Sequence, residues 1–208
     1  MPNTTLISEV LRPTTFSELA IPLETSAKLQ RMFDSGEVMN MLFWGMPGTG
    51  KTSAAKVFEL GNYDVLILNG SKENGIKEVR NTIERFACTV SLYDKPKILI
   101  IDEADYLSDN AQAALRNLVE TVSSNCRFIL TANHPDKLSR AIRSRFFPIN
   151  FNLTNSQIPE VRERVSRTIE ERLKERSLPL PLSTIEEIVE VSMPDLREVA
   201  NKLQFELI

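Results

Sequence analysis

Short, continuous runs of apolar residues alternate with amphipathic stretches through the first three quarters of the chain. The apolar positions within each run are consecutive, which is typical of strands that are buried on both faces of a parallel sheet. The stretches between the runs, such as 76–92 and 109–123, are long enough for crossover helices. The pattern therefore predicts an α/β fold with a five-stranded parallel sheet flanked by helices. The predicted strands are Met41–Trp44, Asp64–Leu68, Lys97–Ile101, Arg127–Ala132 and Phe147–Phe151.

After residue 152 the pattern is that of helices alone. One apolar stripe with a spacing of three or four residues predicts a first helix, and it comprises Ile158, Val161, Val165, Ile169 and Leu173. Two prolines end this helix, and a second helix is predicted over 183–191. A third is expected after Pro194, where Ser192 and Asp195 have the spacing of an N-terminal cap. These helices form a small predicted lid domain.

The predicted division is thus an α/β domain over residues 1–152 and a helical lid over 153–208. A length of 208 residues allows this pair but not a third domain. The 42% hydrophobic content excludes global disorder, and the lack of an apolar run of 18 residues excludes a transmembrane helix. The N-terminus lacks the layout of a signal peptide, so we expect an intracellular protein, without a membrane partner. A net charge of −3 excludes a globally basic nucleic-acid binder but not a local basic patch.

A glycine-rich loop directly follows the first predicted strand. It fits the pattern G-x-x-x-x-G-K-[ST] and reads Gly45-Met46-Pro47-Gly48-Thr49-Gly50-Lys51-Thr52. Such a loop turns backbone N–H groups toward phosphates at the N-terminus of a helix, here expected near Thr52. Lys51 would reach the β- and γ-phosphates, and the Thr52 hydroxyl would bind Mg²⁺. A simple glycine-rich turn is the alternative, which the strand before and the helix after disfavour.

Two carboxylates end the third predicted strand. Asp102 and Glu103 follow the buried run Lys97–Ile101, and ligands bind at this edge of open parallel sheets. Asp102 would hold Mg²⁺ and Glu103 would orient and polarise an attacking water. Alternatively, the two acids cap a helix in a solvated turn. A helicase also carries such acids, but the residues after the α/β domain are too few for its second motor domain.

The order of these motifs, with three further ones, resembles that of AAA+ ATPases. The further motifs are Thr131-Ala132-Asn133, Arg143-Ser144-Arg145 and Pro194-Asp195-Leu196-Arg197. More narrowly, the chain is similar to the ATPase subunits of sliding-clamp loaders, namely replication factor C small subunits and their bacteriophage counterparts. The segment Leu11-Arg12-Pro13 with Phe16 and Leu19 resembles the opening of that family, and Asn69-Gly70-Ser71 and Ser123-Ser124-Asn125-Cys126 match the phage members.

The resemblance implies roles for individual residues. Asn133 would be sensor 1, bonding the γ-phosphate or the attacking water, and Arg197 would be the sensor 2 arginine of the lid. Arg145 would be an arginine finger that reaches the ATP of a neighbouring subunit. Arg12 and Ser53 would join the phosphate loop in binding the nucleotide. Taken without the family, Asn133 reads as a turn cap and the arginines as solvated surface charges.

Four departures from the family pattern qualify the resemblance. Phe146 replaces the cysteine of the Ser-Arg-Cys motif, and Leu11 stands where a tyrosine is usual. The chain to Ile208 leaves no room for the helical collar domain of about a hundred residues that joins subunits into a ring. The two cysteines are too few for the four-cysteine zinc module of the bacterial relatives.

The resemblance also implies surfaces for DNA and for the clamp. Lys77, Arg80 and Arg116 are the candidates for binding DNA phosphates without reading sequence, with ordinary surface charge as the alternative. The clamp-facing segment would be 85–93. Within it, Leu92 and Tyr93 are the better candidates for exposure, whereas Phe86 and Val90 could pack inward.

The sequence therefore predicts an ATP- and Mg²⁺-dependent ATPase subunit of a clamp loader. Its expected partners are other loader subunits in a homo- or hetero-oligomeric ring, a sliding clamp and primed DNA. Its expected compartment is the cytoplasm of a bacterial or phage-infected cell, or a eukaryotic nucleus. Two alternatives stay open: another AAA+ replication ATPase of the helicase-loader type, and a non-hydrolysing ATP-binding scaffold. Glu103 argues against the scaffold, because inactive relatives commonly lose that acid.

Overall fold

The computed structural model describes residues 6–71, 76–89, 91 and 95–207, and it leaves the side chains of 76–80 undescribed. Within this part of the chain, five strands form one parallel sheet in the order β2-β3-β4-β1-β5. The α/β fold and the parallel sheet are therefore confirmed, and the strand ends differ from the predicted ones by one residue at most. The strands are β1 (Met41–Trp44), β2 (Asp64–Asn69), β3 (Lys97–Asp102), β4 (Cys126–Ala132) and β5 (Phe147–Asn150).

Nine α-helices lie in the described residues. Their bounds are α1 (Ile7–Val10), α2 (Leu23–Ser35), α3 (Lys51–Val57), α4 (Ile76–Cys88), α5 (Asp109–Thr121), α6 (Arg140–Arg143), α7 (Ile158–Glu175), α8 (Leu182–Ser192) and α9 (Leu196–Glu206). The phosphate loop leads into α3 as predicted. Helix α4 ends before the predicted limit at 92, and positions 90 and 92–94 lie outside the described residues. Helices α1, α2 and α6 are additions to the predicted elements.

The cap of α9 corrects one detail. Asp195 caps this helix, because its carboxylate accepts from the amides of Arg197 and Glu198. Ser192 does not share in the cap. It ends α8 as a buried residue, and its hydroxyl has no hydrogen-bond partner within the described chain.

Consecutive residues of each central strand pack into different hydrophobic clusters. In β3, Ile98 and Ile100 join Phe16 and other residues on one face, while Leu99 and Ile101 pack on the other. This division explains why the strand reads as an unbroken apolar run.

The helical part after residue 152 has its own core, which the N-terminal segment shares. Ile7, Val10 and Ala20 pack with apolar residues of α7, α8 and α9. The Ile7 amide donates to Gln204 Oε1 at 2.9 Å. The N-terminal segment therefore links the two predicted domains beside the cleft between them.

Among the described residues, no helix is long and apolar enough to cross a membrane.

Candidate nucleotide site

A cleft lies between the carboxyl edge of the sheet and the helical part. It is lined by the phosphate loop, the ends of β3 and β4, the N-terminal segment, α7 and α9. Most of the residues that the sequence singles out for nucleotide chemistry meet here. Those that line the cleft are Arg12, Gly48, Gly50, Lys51, Thr52, Ser53, Asp102, Glu103, Asn133 and Arg197, with Leu11 at the position of the family's tyrosine.

The phosphate loop is held from within and from a neighbouring segment. The Lys51 ammonium donates to the carbonyl oxygens of Gly45 and Met46 at 2.9 and 2.7 Å. The hydroxyl of Thr49 also donates to the Met46 carbonyl, and the Met46 amide donates to Asn152 Oδ1 at 2.7 Å. Gly50, at φ 88°, is the N-cap of α3, so the phosphate loop runs directly into the N-terminus of this helix, where anions bind favourably.

Burial lowers the pKa of Lys51. Its side chain is largely buried, and desolvation is the main reason why the pKa of its ammonium falls from 10.5 to about 8. The positive charge of Arg197 lowers the pKa further, whereas the negative charges of Asp105 and Asp102 oppose the fall. The site therefore holds an incompletely neutralised cation, and an anion such as a phosphate would stabilise it.

Asp102 is fixed by two hydroxyl groups. Thr52 Oγ1 donates to Asp102 Oδ1 at 2.7 Å, and Thr131 Oγ1 donates to the same oxygen at 2.6 Å. The hydroxyl and carboxylate that the sequence assigns to Mg²⁺ are therefore already adjacent. Both are hard oxygen donors, of the kind that Mg²⁺ prefers in phosphate sites.

Thr131 joins the two acids. Its hydroxyl accepts from the Glu103 amide at 3.0 Å while it donates to Asp102. Glu103 itself is in the left-handed region, at φ 55°, which costs a non-glycine residue about 1 kcal/mol or more. In the sequence Thr131 stands out only as part of the motif Thr131-Ala132-Asn133. The signal that marks it is a hydroxyl at the end of the strand that pairs with β3.

Asp105 holds the turn that carries Asn133. Its Oδ2 accepts from the amides of Asn133 and His134 at 3.3 and 3.0 Å, and the residue is 5% exposed. Its Oδ1 is buried with no hydrogen-bond partner among the residues described. The sequence does not indicate this contact, because Asp105 follows two more conspicuous acids, Asp102 and Glu103.

Helix α9 reaches the cleft through its N-terminus. The Leu196 amide donates to the Gly48 carbonyl at 3.0 Å, which brings the helix onto the phosphate loop. The next residue, Arg197, lines the cleft. The geometry thus brings together two motifs that are remote in the sequence, the phosphate loop and the segment that carries Arg197.

Arg145 lies away from the cleft. Its guanidinium pairs with Glu120 of α5, with Nε 2.9 Å from Glu120 Oε1. The adjacent Phe146 is 5% exposed and packs in the core on one face of the sheet. Phenylalanine therefore fills the position of the family's cysteine as a core residue, while Arg140 and Arg143 are exposed.

The DNA and clamp candidates that the structure describes, Arg116 and Phe86, also lie outside the cleft. Arg116 is half-buried on α5, where it donates to the Asn117 side chain. The side chains of Lys77 and Arg80 lie outside the described residues, as do Val90, Leu92 and Tyr93 of the predicted clamp-facing segment. Phe86 packs partly buried against the core, as predicted.

Both cysteines are free thiols, Cys88 exposed and Cys126 buried.

Two curated relatives and a solved structure are similar to most of this chain. Replication factor C subunit 3 of Saccharomyces cerevisiae is 36% identical over 203 residues, which are 94% of this chain and 58% of that protein. The replication factor C small subunit of Methanosarcina mazei is 36% identical over 94% of this chain and 59% of its own length. This chain thus spans about three fifths of the curated relatives. A RuvB variant from Thermotoga maritima has a TM-score of 0.71 at 19% identity, covering 94% of this chain and 64% of that one.

The RuvB likeness concerns the fold alone, and the replication factor C relatives agree with the resemblance drawn from the motifs. A family model described as "ATPase family associated with various cellular activities (AAA)" matches residues 41–154. That range begins with β1 and contains the phosphate loop, both acids, Asn133 and Arg145. By this match over more than half of its length, and by the geometry of its cleft, the chain belongs to the AAA family of ATPases.

Proposed function

We propose that this chain is the ATP-binding and ATP-hydrolysing part of a sliding-clamp loader subunit. It would couple the binding and hydrolysis of ATP to the loading of a clamp on primed DNA. The observation that carries the proposal is the meeting of the phosphate loop, Asp102, Glu103 and Arg197 in one cleft. The similarity to replication factor C subunits supports the choice of this kind of AAA ATPase.

The cleft would bind ATP with Mg²⁺. The loop Gly45–Thr52 and Ser53 would surround the phosphates, and Arg12 would line the nucleotide from the N-terminal side. Thr52 and Asp102, whose oxygens are 2.7 Å apart, fit the donor set of a magnesium ion bound beside phosphates. Such an ion, when bound, neutralises the charge that develops on the phosphate oxygens.

Each residue near the γ-phosphate would have a separate task. Lys51 would balance the charge of the β- and γ-phosphates. Glu103 would accept a hydrogen bond from the attacking water and hold it in line with the phosphorus atom. Asn133 would bond the γ-phosphate or that water, and Arg197 would add a second positive charge from the lid.

The reaction would be completed by a second copy or another subunit. Arg145 lies outside the cleft of its own chain, which agrees with a finger that acts on the ATP of a neighbour. DNA would be bound through phosphates, with Arg116, Lys77 and Arg80 as candidates, and the clamp through the segment 85–93. We place the activity inside the cell.

The rate of ATP hydrolysis with and without partners tests the proposal. We expect turnover to rise when the cognate clamp and primed DNA are added together, and to rise less with either alone. Unprimed duplex of the same length is the control for non-specific phosphate binding. Stimulation by DNA with no effect of any clamp would favour the helicase-loader alternative, and tight ATP binding without hydrolysis under all conditions would favour the scaffold.

A further inference from the structure

We propose that Glu120 is a positioning residue for Arg145, orienting its guanidinium toward the ATP of the neighbouring subunit. The inference rests on the in-trans role proposed above for Arg145, and it assigns Glu120 a part in that same reaction. Glu120 would touch neither ATP nor the attacking water. It would act through Arg145 alone.

The contacts of the guanidinium leave its outer edge available. Glu120 Oε1 accepts from Arg145 Nε at 2.9 Å and from Nη2, and Nη1 donates to the Ala141 carbonyl. These bonds use three of the five N–H groups of an arginine. The other two belong to the terminal nitrogens and have no acceptor among the described residues. A phosphate is bound by terminal nitrogens of this kind, so Glu120 holds the side chain without occupying the edge that a phosphate needs.

The surroundings of Arg145 restrain its backbone as well. Helix α6 ends two residues earlier, and the next residue, Phe146, is anchored in the core. The Arg145 side chain is 29% exposed, whereas that of Glu120 is 58% exposed. The guanidinium is thus tethered between α5 and α6 at the surface, where another subunit can reach it.

The physical benefit is preorganisation. Arginine has many rotamers, and an unrestrained finger would lose this freedom only when the subunits meet. The hydrogen bonds to Glu120 already restrict the Arg145 side chain in the isolated subunit, so less conformational entropy is lost when the subunits meet. An ion pair of this exposure has a modest strength, so we expect its removal to slow turnover about fivefold, which corresponds to about 1 kcal/mol.

The test separates the chain that supplies the finger from the chain that supplies the ATP site. The finger donor carries Lys51→Ala, and the acceptor carries Arg145→Ala. The measurement is the rate of ATP hydrolysis by the mixture, over a range of donor concentrations up to saturation. With Glu120→Ala added to the donor, we expect about a fivefold lower saturating rate at an unchanged half-saturating concentration. Glu120→Gln, which retains an oxygen acceptor, should lose less.

Two controls distinguish positioning from general damage. Glu120→Ala placed in the acceptor should leave the rate unchanged, because the Arg145 of that chain is already absent. Glu163→Ala in the donor removes a carboxylate of similar exposure, 62% against 58% for Glu120, which pairs with Arg167, and it should have no effect. A merely structural role of Glu120 would lower the rate in both arrangements and would overturn the proposal.

The failure of the proposed function gives a different result. If donors with and without Arg145 produce the same rate, Arg145 does not act in trans, and this inference falls with that role. If Arg145 is required but Glu120→Ala and Glu120→Gln donors match or exceed the original donor, the in-trans role stands and the positioning role of Glu120 is wrong.

Discussion

The carboxylate of Asp195 lies directly against Gly48 of the phosphate loop. A Cβ atom added to Gly48 would come within 2.1 Å of Asp195 Oδ1, and Gly48 has a φ of 80°. Because the same carboxylate caps α9, the start of the helix that carries Arg197 is in contact with the loop. A change in the shape of the loop would therefore displace α9, and a movement of α9 would change the shape of the loop.

This contact makes Gly48→Ala costly for two reasons, the left-handed backbone and the clash with Asp195. Gly36→Ala is the matched control, because Gly36 has a similar φ of 74° but nothing within 4 Å of its added Cβ. Urea unfolding should show a loss of about 1 kcal/mol for Gly36→Ala and about 1–3 kcal/mol more for Gly48→Ala. Equal losses would mean that Asp195 does not restrain the loop.

The lowered pKa of Lys51 predicts a pH dependence of stability. With a pKa of about 8 in the folded chain and 10.5 in the unfolded one, the unfolded chain binds more protons between these values. The buried charge of Lys51 therefore destabilises the folded chain to its full extent below pH 8. This destabilisation disappears as the pH rises toward 10.5. In the absence of nucleotide, Lys51→Met should raise the free energy of unfolding by about 1–3 kcal/mol at pH 7.

The check is urea unfolding of Lys51→Met and of the original chain at several pH values. The difference in the free energy of unfolding between Lys51→Met and the original chain should decrease steadily from pH 8 to pH 10. A difference that is constant over this range, or one that widens, would contradict the assigned pKa shift.

The sequence predicts best the parts of the molecule that depend on neighbours along the chain. The run Lys97–Asp102 predicts a buried strand because both of its faces are apolar. The phosphate loop is recognisable because the residues that carry its chemistry are eight consecutive ones. Thr131, Asp105 and Glu120 had no such signal. Each acts through a partner that is remote in sequence, and only the pairing of β3 with β4 and the packing of α5 beside α6 bring them together.

Thr131 provides a test of one of these remote contacts. Thr131→Val keeps the shape of the side chain but leaves the Glu103 amide and the Asp102 carboxylate without their shared hydroxyl. We expect it to lose about 1–3 kcal/mol of stability and to slow hydrolysis at saturating ATP about tenfold. Thr131→Ser keeps the hydroxyl, so its turnover should stay close to that of the original chain. Equal turnover of the Val and Ser variants would show that this hydroxyl does not serve the reaction.

The two acids should differ in what they do to binding and to hydrolysis. Glu103→Gln should retain ATP and Mg²⁺ while slowing hydrolysis by about 10²–10⁴-fold, which is the usual contribution of a positioned base. Asp102→Asn should weaken the dependence of ATP binding on Mg²⁺, because Asp102 holds the Thr52 hydroxyl. Calorimetry with and without Mg²⁺ measures ATP binding by each variant, and phosphate release measures its rate of hydrolysis. The reverse pattern would exchange the two roles.

The most direct test of a site shared between subunits is to mix two inactive chains. Lys51→Ala should not bind ATP, because the β- and γ-phosphates lose the ammonium of the loop, and Arg145→Ala should bind ATP but lack its finger. A finger supplied in trans is worth about 10³–10⁵ in rate where it has been measured. Each variant alone should therefore hydrolyse ATP poorly. The mixture should recover turnover that rises with total protein concentration, whereas turnover no greater than that of the two chains assayed separately would contradict a shared site.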